Sequence, residues 1–75
     1  MNKYIIPICD IDSSKIWIKE ILAKSTNDCK EKLIQYIINL FKIEEDMDDY
    51  RSFIELMDTN YNVLIGDIKE IDEMI

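Results

Sequence analysis

The side chains with the greatest chemical potential are a short run of oxygen donors and two thiols. Residues 10–14 read Asp-Ile-Asp-Ser-Ser, a pattern that could hold a hard cation or supply a carboxylate nucleophile. Cys9 and Cys29 are the only cysteines, and the chain has no histidine. Because a cysteine nucleophile needs a base and an orienting group, we predict reduced, buried thiols that pack as small apolar side chains.

Residues 10–14 resemble the start of an EF-hand loop, which has oxygens at its first, third and fifth positions. That loop takes glycine sixth and glutamate twelfth, where this chain has Lys15 and Ile21. A strand followed by Asp-x-Asp also resembles the nucleophile motif of haloacid-dehalogenase-type phosphatases, but the chain is too short for the rest of that fold. We therefore interpret the segment as a polar turn. We expect no metal, no cofactor, no catalytic residue and no enzymatic activity.

The first half of the chain predicts two strands and a helix. Residues 3–11 and 15–23 are rich in isoleucine and close enough to pair as a hairpin. Pro7 predicts an edge strand, or a strand in which its nitrogen points outward. Ser25, followed by Asp28, predicts a helix start, with the helix continuing to about residue 42. Its expected apolar stripe comprises Cys29, Leu33, Ile37, Leu40 and Phe41, widened by Ile34 and Ile38.

The second half predicts another helix and a third strand. Asp46 is the expected cap of the second helix, with Asp48 and Asp49 in its first turn. Residues 58–60 should end this helix, and residues 61–65 should form the strand. Gly66 predicts a bulge or bend, while residues 67–75 fit either a strand or a helical turn. We therefore predict one α+β domain over residues 1–75, with a three-stranded antiparallel sheet packed on two helices in the order ββααβ.

Length and charge limit the classes of function. A chain of 75 residues leaves little room for both a core and a deep substrate pocket. Its formal net charge is −7, and residues 44–75 hold eleven acids against two basic side chains. A negative field repels nucleic acid and attracts basic surfaces, so we expect no direct nucleic-acid binding. No apolar run is long enough to span a bilayer, and we expect a cytoplasmic protein without a membrane partner.

The acidic second half predicts the binding surface. We expect its carboxylates to form a negative face that docks on a basic protein surface, with a nucleic-acid-binding channel as the natural target. The predicted binding residues are Glu44, Glu45, Asp46, Asp48, Asp49, Asp72 and Glu73.

In size, charge, lack of a catalytic motif and single-domain organisation, the whole chain resembles the small acidic inhibitors that phages make against host defence systems, including anti-CRISPR proteins. The resemblance implies a non-enzymatic inhibitor that imitates nucleic acid and binds a nucleic-acid-binding defence protein. The alternative is a structural or assembly protein that self-associates through an edge strand. Residues 3–11 are the candidate strand, with Tyr4, Trp17 or Tyr61 as an anchor of the homodimer.

Overall fold

Four strands and two helices make up most of the part of the chain that the structure describes, a computed structural model covering residues 1–45, 47 and 49–71. The strands form one antiparallel sheet, and both helices pack on the same side of it. The predicted α+β class is confirmed, with a short fourth strand added. The elements are β1 (Asn2–Asp10), β2 (Lys15–Ala23), α1 (Thr26–Phe41), α2 (Tyr50–Asn60), β3 (Val63–Ile65) and β4 (Lys69–Ile71).

The predicted hairpin of β1 and β2 is present over its whole length. Its register places Asp10 opposite Lys15 and Pro7 opposite Ile18. The turn is closed by the Ser14 amide, which donates to the Ile11 carbonyl at 3.2 Å. Ser14 has a φ of 57°, in the left-handed region that is uncommon for residues other than glycine. The interpretation of the segment after Asp10 as a turn is therefore confirmed.

The prediction that the first strand is an edge strand is wrong. Strand β1 lies in the middle of the sheet, with β2 on one side and both β3 and β4 on the other. β3 pairs with the stretch from Ile8 to Asp10, and β4 pairs with the stretch from Lys3 to Ile5. Strand β1 therefore has no open edge along these stretches through which a second copy could pair.

A break between β3 and β4 allows Pro7 to occupy a central strand. The Gly66 amide donates to the Pro7 carbonyl at 2.8 Å. The nitrogen and carbonyl of one extended residue point to the same side, so the missing N–H of Pro7 faces this break and removes no ladder bond. A Cβ on Gly66 would lie 2.5 Å from Pro7 Cγ. The predicted bend at Gly66 is thus a close backbone approach to the proline ring.

Local capping signals determine where α1 begins and ends. Ser25 is its N-cap, and its Oγ accepts from the Asp28 amide at 3.2 Å. The Asp28 carboxylate in turn accepts from the Lys24 amide at 3.0 Å, one residue before the cap. The helix ends at Lys42, which adopts a left-handed conformation with a φ of 55°. Both predicted ends are confirmed.

The N-terminus of α2 differs from the prediction. The N-cap is Asp49 and not Asp46, and its carboxylate accepts from the amide and the hydroxyl of Ser52 at 3.4 and 2.7 Å. Asp46 and Asp48 lie outside the described residues. An aspartate in any of these positions carries the same capping signal, so the sequence could not distinguish them. The observed cap lies three residues after the predicted one. Residues 58–60 end this helix as predicted.

The core lies between the sheet and the two helices. Ile6 and Ile8 of β1 meet the buried stripe of α1, together with Phe53 and Met57 of α2. The prediction that Leu40 belongs to the apolar stripe of α1 is wrong, because 48% of its surface is exposed. The buried apolar residues are Tyr4, Ile6, Ile8, Ile21, Ala23, Cys29, Leu33, Ile34, Ile37, Ile43, Phe53, Met57 and Val63.

Candidate protein-binding surfaces

The sheet has a second broad face, on the side away from the helices, which we call the outer face. Strand alternation brings every second residue of β1 and β2 to this side. The pairing of the strands arranges these side chains in four rows across the sheet. The rows are Ile16–Cys9–Leu64, Ile18–Pro7, Glu20–Ile5–Lys69 and Leu22–Lys3–Ile71.

The first two rows of the outer face are apolar, and we call them the apolar rows. Ile16 and Ile18 are 76% and 63% exposed, and Leu64 is 44% exposed. Ile11, at the adjoining turn, is also exposed. An antiparallel sheet with one solvated face normally carries polar side chains there, and contiguous apolar surface of several hundred Å² marks an interaction site. The apolar rows therefore have the composition of a protein-binding surface.

The remaining rows of the outer face carry charges of both signs. Lys3 and Lys69 lie in adjacent rows, and Glu20 shares a row with Lys69. Their formal charge adds to +1, on a chain whose net charge is −7. Among the described residues, the outer face therefore lacks the strong negative charge that would repel an acidic partner.

The pattern of apolar residues along β2 indicates this surface. Ile16, Ile18 and Leu22 alternate with Trp17, Lys19 and Ile21 along β2, so both sides of the strand are largely apolar. Two helices on one side of the sheet cover only one of these faces. The sequence points to the acidic residues instead, because charge can be counted in the composition, whereas the uncovered face is defined only by the position of the helices.

Three of the seven predicted acidic residues lie in the described part of the chain. Glu44, Glu45 and Asp49 are exposed in the connection between α1 and α2. Asp46, Asp48, Asp72 and Glu73 lie outside the described residues, so the continuous acidic face that includes the C-terminus stays a prediction. Hydrogen bonds from Ser52 hold the pKa of Asp49 below its ordinary value. Asp49 is therefore a helix cap as well as a surface charge.

An open groove lies on the helical layer, where α1 meets the start of α2. It is lined by Lys30, Asp49, Tyr50, Arg51, Ile54 and Glu55. The Lys30 ammonium lies 5.2 Å from the centre of the Tyr50 ring, within the range of a cation–π contact. Burial, followed by nearby negative charge, raises the pKa of Tyr50 to about 12. Its hydroxyl stays protonated at neutral pH and cannot act as a general base there.

Trp17 and Tyr36 join the edge of the sheet to α1. The indole Nε1 of Trp17 donates to the Tyr36 hydroxyl at 3.2 Å. The Lys19 ammonium lies 4.4 Å from the centre of the Tyr36 ring. These aromatic side chains hold β2 against α1, so we assign them a structural role.

The two thiols and the segment of residues 10–14 make structural contacts in the fold. Cys29 is fully buried, and burial followed by the charge of Asp28 raises the pKa of its thiol. Cys9 is partly exposed on the outer face. The Asp12 carboxylate accepts from the Asn62 side-chain amide at 3.1 Å, which ties the hairpin turn to the loop before β3. Among the described residues, no group of three His, Cys, Asp or Glu side chains is placed to hold a metal ion.

Comparison with known proteins identifies no relative of this chain. No protein-family model, curated protein or solved structure matches the chain. Neither helix in the described part of the chain has the length and apolar content needed to cross a bilayer.

Proposed function

We propose that this protein is a non-enzymatic protein-binding domain, which acts by occupying the surface of another protein chain. The observation that carries the proposal is the exposure of the apolar rows on the outer face. Ile16 and Ile18 are exposed, whereas Ile6 and Ile8 on the opposite face of the same hairpin are buried. Removing apolar surface from water contributes about 25 cal/mol per Å², so covering these rows would stabilise a complex.

The rigidity of the hairpin supports the same function. The apolar rows project from β1 and β2, whose pairing extends over nine residues of each strand. Their other face packs against the core. A binding surface on a rigid scaffold needs little reorganisation when its partner arrives, and this lowers the entropic cost of association.

A second candidate mode is inhibition through the acidic surface, as in anti-CRISPR-like inhibitors. Glu44, Glu45 and Asp49 are exposed in the connection between α1 and α2. The net charge of −7 favours a basic partner. In this mode the target is a basic protein surface, including that of a nucleic-acid-binding defence protein. The outer face and the acidic connection lie on different layers, so one protein could use both.

Affinity capture with matched variants tests both modes. The bait is the full chain as wild type, Ile18→Lys, Glu44→Lys/Glu45→Lys, or Leu40→Lys as the control with an exposed apolar residue on α1. The proposal expects a captured protein that is lost with Ile18→Lys and retained with Leu40→Lys. Loss with the Glu44 and Glu45 variant instead assigns binding to the acidic connection. A partner that all three variants retain would contradict both modes.

A further inference from the structure

We propose that the outer face binds a second copy of this chain, with the two sheets packed face to face through their apolar rows. This inference rests on the proposed function, because it names the partner of the same surface. The described residues of one copy leave the apolar rows uncovered, since α1 and α2 both pack on the opposite side. A face that binds its own copy is self-complementary by two-fold symmetry.

The distribution of charge favours a second copy. Sheet-to-sheet packing places the acidic connections of the two copies on the outside of a four-layer assembly. With layers about 10 Å apart, the two helical layers are separated by roughly 30 Å. Exposed charges at that distance are largely screened at physiological salt, where the Debye length is about 8 Å. The described residues of the outer face carry little charge, so electrostatic repulsion at the contact itself is small although each chain has a net charge of −7.

The area of the outer face fits a modest homodimer. A nine-residue strand spans roughly 30 Å, and three strands side by side span roughly 14 Å. The projected area of the whole outer face, charged rows included, is then on the order of 400 Å², and the accessible area of the side chains that stand on it is larger. Standard interfaces bury about 800 Å² per partner, and weaker ones somewhat less. We therefore expect a weak dimer, and a dissociation constant in the micromolar range is the working expectation for its measurement.

The longer edge of the sheet, formed by β2, is less suited to self-association than the outer face. β2 is the strand at this edge in the described sheet, and Lys15 and Lys19 lie along it. The Lys32 ammonium donates to the Leu22 carbonyl at 2.8 Å and occupies part of the edge. Lysines on an edge strand oppose pairing with another strand. Packing of the faces also buries the apolar rows, which pairing of the edges would leave in water.

Sedimentation velocity of the purified full chain over about 5 to 500 µM, a range that brackets micromolar dissociation constants, tests the proposal. We expect a reversible monomer–dimer equilibrium. Ile18→Lys buries an unpaired charge in the interface and should weaken dimerisation by about 100-fold or more. Leu40→Lys, on the helical layer, should leave the dissociation constant within about twofold of the wild type, because it lies outside the interface. Circular dichroism confirms that both variants are folded.

Two results would overturn the inference. If the wild-type chain stays monomeric at every concentration measured, its outer face does not bind a second copy. A dimer that Ile18→Lys preserves forms through another surface. Neither result decides the proposed function, because capture of a different protein that depends on Ile18 would still show that the outer face binds proteins. Dimerisation that is lost with Ile18→Lys and kept with Leu40→Lys supports the inference.

Discussion

At the scale of single residues, the contact between Gly66 and Pro7 decides how the far side of the sheet is built. The proline occupies a central strand only because the chain interrupts its pairing there, and the glycine brings its backbone against the ring. The two residues are separated by 59 positions, so sequence patterns near either residue could not predict the contact. The proline indicated either an edge strand or a nitrogen that points outward, and the edge strand was wrong.

Gly66→Ala should destabilise the fold through this contact. The added Cβ would lie 2.5 Å from Pro7 Cγ, and a ring atom cannot rotate away as the end of a flexible chain can. Forcing extra volume into a packed site costs about 1–3 kcal/mol. Urea unfolding should show a lower midpoint with an unchanged m-value.

A double-mutant cycle isolates the cause of that loss. Pro7→Ala removes the ring atoms that the new methyl group would meet, so Gly66→Ala should cost less free energy of unfolding in the Pro7→Ala background than in the wild type. Equal costs in both backgrounds would show that the penalty arises elsewhere, for example from the backbone of residue 66.

At the scale of elements, the start of α1 was predictable from the sequence and the start of α2 was not. Ser25 and Asp28 predicted the start of α1, because the interaction is confined to neighbouring residues. Several aspartates precede α2, and capping chemistry alone could not choose Asp49 from among them. β4 was equally hard to predict, since a strand of three residues has too few positions to show a periodicity. Its pairing with β1 depends on a distant segment.

The caps also predict a dependence of stability on pH. The pKa of Asp28 is lowered chiefly by the hydrogen bond from the Lys24 amide, and that of Asp49 chiefly by its bonds with Ser52. A carboxylate with a lowered folded-state pKa stabilises the fold above its unfolded-state pKa, near 3.9. That contribution is lost as the pH falls through the folded-state pKa.

Urea unfolding from pH 7 to about pH 2.5, below the unfolded-state pKa of aspartate, tests this dependence. The variant Asp28→Asn/Asp49→Asn should lose less stability than the wild type as the pH falls below about 4. Asp58→Asn is the matched control, since Asp58 is an exposed aspartate at the other end of α2. Identical pH profiles for the cap variant and the wild type would show that the capping bonds contribute nothing to acid unfolding.

At the scale of the whole molecule, the sheet separates an acidic helical layer from an apolar outer face of small charge. Composition predicted the acidic character, because charge can be counted along the sequence. The apolar rows required three-dimensional information, since Ile16 and Leu64 become neighbours only through Cys9 between them. The largest difference between expectation and structure is therefore the location of the binding surface.

The sign of the salt dependence distinguishes the two surfaces. Docking of Glu44 and Glu45 on a basic partner is an attraction between opposite charges, which salt screens. Self-association through the outer face brings together two chains of net charge −7, whose repulsion salt also screens. Raising the salt concentration from about 10 to 150 mM shortens the Debye length from about 30 to 8 Å. The dissociation constant of the homodimer should then fall, whereas that of a complex with a basic partner should rise.

Sedimentation velocity at each salt concentration measures the homodimer, and Glu44→Lys/Glu45→Lys provides an internal check. That variant changes the formal net charge from −7 to about −3, which reduces the repulsion between copies. Its dimer should therefore depend less on salt than the wild-type dimer does. A wild-type dimer that weakens as salt is added would be held by opposite charges, and the apolar rows would then not be its interface.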